Sequence, residues 1–191
     1  LKFVQLVKNP FFGEKNASSK NHIFYKFDKT LDFSNFEDSE FDFKIQRTSN
    51  DTYLKKNKIQ TEIITDNDIL ENSLKLNLYS NDISIDFETT VYESLNKNST
   101  DRYEFILPKI DLVKKIENKT SLKGDFSFKS QNLVRNYETN IFEKSNINDL
   151  IFTSYPKITN SGFYNNYEFL IKNSNTDSEK SSKYKDDQNI Y

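Results

Sequence analysis

This sequence predicts an all-β fold, an antiparallel up-and-down meander, and three observations carry that prediction. Ile83, Ile85, Phe87 and Val91 alternate with Asp82, Ser84, Asp86, Glu88 and Tyr92 from Asp82 to Tyr92, a period of two that leaves one strand face apolar and the other wet. The stretch before it mirrors the pattern, with Leu74, Leu76 and Leu78 set against Lys75, Asn77 and Tyr79. A turn at Ser80-Asn81 would pair Leu78 with Ile83, Leu76 with Ile85 and Leu74 with Phe87, all on one face. Finally, candidate strands recur throughout the chain, separated by Asn, Asp and Ser clusters, and no segment sustains a helical period. About ten residues per strand also suffices to cross a bilayer as part of a barrel.

The elements follow in order. Asn21 to Phe27 reads as the first strand. Glu40 to Arg47 follows, with Phe41, Phe43 and Ile45 alternating against Asp42, Lys44 and Gln46. Asn67 to Asn72 suggests a short turn before the hairpin of Ser73 to Tyr92. Arg102 to Pro108 places Tyr103, Phe105 and Leu107 on one side and stops at proline. Thr120 to Lys129, Asn148 to Tyr155 and Tyr164 to Lys172 are further strands, and Val134 to Phe142 is a weaker one. Asn9 to Lys20, Lys55 to Ile59 and Asn96 to Asp101 read as polar connectors. Asn173 to Gln188, rich in Ser, Lys, Asp and Asn, reads as a long mobile loop.

Composition narrows the function classes. A net charge of −2 provides no global field for nucleic acid, so no nucleic-acid partner is expected. Cysteine is absent, which removes disulfides and thiolate metal sites from these residues. No apolar stretch approaches the roughly 18 residues of a membrane helix, whereas a β-barrel would leave no such run. The chain starts at Leu1 and contains no methionine, so an internal fragment or a processed chain is expected. Only three glycines and three prolines are present, so turns must rely on Asn, Asp and Ser.

Catalytic chemistry finds little purchase. His22 is the single histidine, too few for an N/S metal site or a hydrolase triad. Asp82, Asp86 and Glu88 share a strand face, but carboxylates on the wet side of a strand are ordinarily just solvated. Asp66-Asn67-Asp68 lacks the glycine and distal glutamate of a calcium loop. The chain is therefore read as non-enzymatic and without a cofactor.

Two blocks go beyond composition. Ser49-Asn50-Asp51-Thr52-Tyr53-Leu54 runs from a strand end through a polar turn to an aromatic. Arg102-Tyr103 opens a strand that reaches Leu107-Pro108. With the hairpin between them, and with Asn148 to Phe152 and Ser161 to Tyr167 after them, they resemble the barrel domain of LptD, a family of outer-membrane lipopolysaccharide-assembly proteins. The similarity runs from about Asn21 to Tyr184, and the heavy Asn and Lys load departs from the family's pattern.

That resemblance implies that residues 1–191 are a slice of a large transmembrane barrel of about 26 strands, containing neither end of the full protein and no periplasmic domain. It implies a Gram-negative outer-membrane location and passage of lipopolysaccharide into the outer leaflet. The implied partners are lipopolysaccharide, membrane lipid, an LptE-like lipoprotein plug, and a periplasmic Lpt bridge reached through the missing N-terminal domain. Leu74, Leu76, Leu78, Ile83, Ile85 and Phe87 would then face lipid, and Lys75, Asn77, Ser84, Asp86 and Glu88 the lumen. A porin or receptor barrel, or a soluble glycan-binding β-sandwich, would share the alternation without the ordered words.

Overall fold

The computed structural model describes residues 21–181, except 60, 62, 65, 98–100, 139 and 140, together with 188–190. The expected connector Asn9 to Lys20 lies outside them. Eleven strands and one short helix follow in order: β1 (His22–Thr30), β2 (Asp38–Thr48), α1 (Tyr53–Asn57), β3 (Ile69–Tyr79), β4 (Ile83–Ser94), β5 (Tyr103–Ile116), β6 (Gly124–Tyr137), β7 (Ile141–Ser154), β8 (Lys157–Ile158), β9 (Tyr164–Asn165), β10 (Glu168–Glu179) and β11 (Gln188–Ile190). Nine of the strands form one antiparallel sheet in the order β1-β2-β3-β4-β5-β6-β7-β10-β11, while β8 and β9 make a separate two-stranded hairpin. The chain is thus an all-β meander. Among the described residues the sheet is open, with β1 and β11 at its edges.

The hairpin at the centre of the prediction exists with a shifted register. Leu78 opposes Ile85, Leu76 opposes Phe87 and Leu74 opposes Thr89. The turn residues are Asn81-Asp82, closed by the Ser80 amide donating to the Ile83 carbonyl at 2.8 Å. Two contacts hold Asp82 at the turn. Ser80 Oγ donates to its carboxylate at 3.0 Å, and its carbonyl accepts from the Lys115 amide at 2.7 Å. Moving a turn by one residue moves every pair by two, so each side chain keeps its expected face.

Strand β5 does not stop at proline. Its register jumps between Glu88 and Thr90 of β4 and again against β6, where Ile106 opposes Arg135 and Lys109 opposes Leu133. Leu107 and Pro108 together face a single residue on each neighbour, so β5 carries one extra residue in a β-bulge, a position that tolerates a missing N–H. The bulge also resolves a parity conflict. Phe105 lies at an odd position and Ile110 and Leu112 at even ones, yet the inserted residue returns all three to one face.

Other connectors differ from expectation. Lys55 to Ile59 begins within a five-residue helix, and Asn67 to Asn72 runs into β3 at Ile69. Val134 to Phe142 contains the β6–β7 reversal rather than a strand of its own. Tyr164 to Lys172 divides between β9 and the start of β10. Asn173 to Glu179, expected as loop, is the second half of β10. It pairs residue for residue with Phe142 to Asn148 of β7, because a neighbouring strand satisfies its backbone whatever its side chains are.

Each strand contacts its sheet neighbours, and among the described residues a second layer appears only where the segment between β2 and β3 folds back. There Phe24, Tyr53, Leu54, Leu70 and Leu95 form a small buried core with Ile59, Ile63 and Ile64 packed on it. Elsewhere the strands have two faces, and no other described residue covers either.

Candidate functional site

Register assigns the two faces without ambiguity. Face A carries Tyr25 and Phe27 of β1, Phe41 and Phe43 of β2, Leu74, Leu76 and Leu78 of β3, Ile83, Ile85 and Phe87 of β4, and Ile110 and Leu112 of β5. All six residues expected toward lipid are in this set. They are half-buried, shielded only by neighbours across the strands. Cross-strand aromatic pairs bind this face laterally, Tyr25 to Phe43 and Phe27 to Phe41 at 6.1 Å, both edge-on.

Face B carries Lys75, Asn77, Ser84, Asp86 and Glu88, the five residues expected on the polar side; Lys75 opposes Glu88 and Asn77 opposes Asp86. Here the structure adds a network. Lys44 Nζ donates to Glu71 Oε2 at 2.7 Å, Lys75 Nζ lies 3.4 Å from Glu88 and 3.7 Å from Glu71, and Thr90 Oγ1 donates to Glu88 at 2.8 Å. Further along, Arg135 Nε donates to Glu104 at 2.8 Å while its guanidinium stacks 3.9 Å above the Tyr137 ring. Tyr137 Oη in turn donates to Glu143 at 3.0 Å. Lys44, Glu71, Glu104, Arg135 and Glu143 escaped the sequence reading of sites. Their only signal was even spacing on the wet side of their strands.

The ten motif residues take two locations. The block Ser49 to Leu54 forms a fold-back in which each residue has a structural task. Ser49 and Asn21 exchange hydrogen bonds, the Ser49 amide donating to the Asn21 carbonyl at 2.8 Å and the Asn21 amide to Ser49 Oγ at 3.0 Å. Thr52 Oγ1 donates to Asn50 Oδ1 at 3.2 Å. Tyr53 Oη and His22 Nδ1 share a 2.7 Å hydrogen bond, and Leu54 is 1% exposed in the core. Asp51 joins the second block: Arg102 Nη1 and Nη2 both donate to its carboxylate, the former at 2.9 Å. Arg102 Nε donates to Glu93 at 2.8 Å, and Tyr103 Oη reaches the same oxygen at 3.2 Å. Two words far apart in sequence therefore meet in one two-pronged ion pair. The hydrogen bonds that Arg102 donates to Asp51 and Glu93 push its guanidinium further above its already high ordinary value. Leu107 and Pro108 lie elsewhere, in the β5 bulge.

The arrangement sets an apolar face and a charged, hydrogen-bonded face on opposite sides of one sheet. Among the described residues no group of three His, Cys, Asp or Glu side chains is placed to hold a metal ion. His22 is taken up by Tyr53 and stacks on Phe24 at 5.0 Å. No helix among the described residues is long and apolar enough to cross a membrane, a statement that leaves strands untouched. Searches of protein-family models, curated proteins and solved structures return no match to this chain.

Proposed function

We propose that this chain is part of the wall of an outer-membrane β-barrel of the LptD kind, delivering lipopolysaccharide to the outer leaflet. The observation that carries the reading is the pairing of an uncovered apolar face with a charged, hydrogen-bonded face on a single sheet layer. In a soluble sandwich, face A would need a second sheet about 10 Å away, and the described residues supply none. In a barrel wall the same face meets acyl chains directly. Strands β2 to β7 run 11 to 14 residues, enough to span a bilayer at the usual tilt with ends in the headgroup zones. The union of Asp51 with Arg102 gives the two motif blocks a shared structural reason, which supports LptD over a porin or receptor barrel.

On this reading face B lines an aqueous lumen. Its alternating ammonium and carboxylate groups suit a hydrated, anionic sugar that must slide without being held. LptE-like and periplasmic partners belong to the same proposal. A photoreactive residue at Asp86, installed in the full-length protein in living cells, is expected to crosslink lipopolysaccharide, while one at Leu76 labels phospholipid. Lipopolysaccharide adducts at neither position, in a protein that purifies as a detergent-free monomer, would contradict the proposal.

A further inference from the structure

Face A changes character across β6, β7 and β10. Ser130 and Asn132 of β6 oppose Asn148 and Asn146 of β7, which oppose Asn173 and Asn175 of β10, and Asn189 of β11 continues the row by register. The side chains form a ladder. Asn132 Nδ2 donates to Ser130 Oγ at 3.1 Å, and Ser130 Oγ donates to Asn148 Oδ1 at 2.8 Å. Asn146 Nδ2 donates to Asn132 Oδ1 and Asn148 Nδ2 to Asn146 Oδ1, the latter at 2.6 Å. Asn175 Nδ2 donates to Asn173 Oδ1 at 2.8 Å. The row crosses the middle of these strands, the height at which a spanning strand meets the centre of the hydrocarbon.

Two of the ladder's amides leave a donor over. A side-chain amide offers two N–H groups, and Asn132 and Asn146 each place one on a protein acceptor among the described residues. In hydrocarbon the remaining N–H groups would have no partner, a cost that membrane structures avoid. Lys144, next on the same face of β7, is exposed and opposes Asp177 of β10. A lipid contact would leave that ammonium and these amides stranded, whereas water satisfies all of them.

We infer that face A is divided, with β3 and β4 presenting an apolar surface to lipid and β6, β7 and β10 presenting a hydrated amide strip at mid-strand. This rests on the barrel-wall reading and adds to it a place where the outer face is wetted rather than greased. The chain has no native cysteine, so single nitroxide labels can be introduced by Leu76→Cys, Asn146→Cys and Asn132→Cys in the full-length protein in vesicles. Relaxation by a water-soluble nickel chelate and by oxygen then reports the medium at each position. The expected result is strong nickel access at 146 and 132 and strong oxygen access at 76, a contrast of several-fold in the ratio. Oxygen access dominating at all three positions overturns the division while leaving the lipid reading intact. Nickel access dominating at all three overturns both. The two amide positions guard against one variant failing to fold.

Discussion

The β1–β5 and β6–β10 parts of the sheet share one architecture and differ in what holds them. The first is anchored by a fold-back whose buried Tyr53 and Leu54 pack with Phe24 of β1, Leu70 of β3 and Leu95. The fold-back's Asp51 pairs with Arg102, which sits at the head of β5 and is itself bonded to Glu93 of β4. Among the described residues the second has no fold-back. It relies on the backbone ladder, on aromatic contacts such as Phe126 to Phe152 at 4.8 Å, and on the amide row. The contrast teaches that pairing and facing are separate decisions. Antiparallel hydrogen bonds form along all these strands, but the apolar residues that would drive one face out of water continue unbroken only through β5.

Removing the anchor tests this most severely. Arg102→Ala leaves the Glu93 carboxylate, 8% exposed, without its cation, a loss of about 3 kcal/mol or more for breaking a largely buried pair. Asp51→Asn keeps Glu93 paired and costs about 1 kcal/mol at a half-exposed partner. Denaturant midpoints in detergent would rank the two. Hydrogen exchange should rise in β1, β2 and β4 and stay unchanged in β7 and β10.

A charge placed on each face sharpens the comparison further. On the barrel-wall proposal, Phe87→Arg is expected to destabilise the protein in a bilayer by about 2–4 kcal/mol, the usual toll of a cation facing mid-bilayer, against near-neutrality for Asp86→Arg. A matching Leu150→Arg on β7, closer to the amide row, should fall between them.

Gly124 probes the other half. A Cβ there would strike the Thr153 carbonyl oxygen and lie 2.6 Å from Phe152 Cζ, so Gly124→Ala forces backbone apart at the start of β6. The cost is about 1–3 kcal/mol, read as local exchange in β6 and β7 with β1–β3 unaffected.

The smallest effect is a titration. Lys55 Nζ lies 2.5 Å from Asp68 Oδ1 and donates to Asn96 at 3.3 Å. The hydrogen bond from Lys55 holds the Asp68 carboxyl below its ordinary value. A carboxylate depressed on folding stabilises above its unfolded pKa of about 3.9 and loses that contribution as pH falls through the lower folded value. Proteolytic protection of residues 49–68 should therefore decline below about pH 4, and Asp68→Asn should remove that component of the decline.

Much of this was legible in the chain. Period-two alternation located both faces of β3 and β4, and a turn misplaced by one residue left them correct because register then moves by two. The β5 bulge is also legible there, in the switch from Tyr103, Phe105 and Leu107 to Ile110 and Leu112, but a proline in sequence reads equally well as a strand terminus. Polar strands were harder. Asn173 to Glu179 carries no apolar face, and pairing with β7, and with β11 over Ser174 to Thr176, makes it a strand. The Asp51–Arg102 contact was invisible for a different reason, since order along a chain does not reveal which distant residues a fold-back brings together.

The central claim is that one sheet layer separates two media. Nitroxide labels at the adjacent positions Ile85 and Asp86, on opposite faces by register, in the full-length protein in vesicles, test it most directly. Oxygen access at 85 with nickel access at 86 is the expected result. Equal aqueous access at both would mean that face A is not against lipid, and the wall would have to be abandoned.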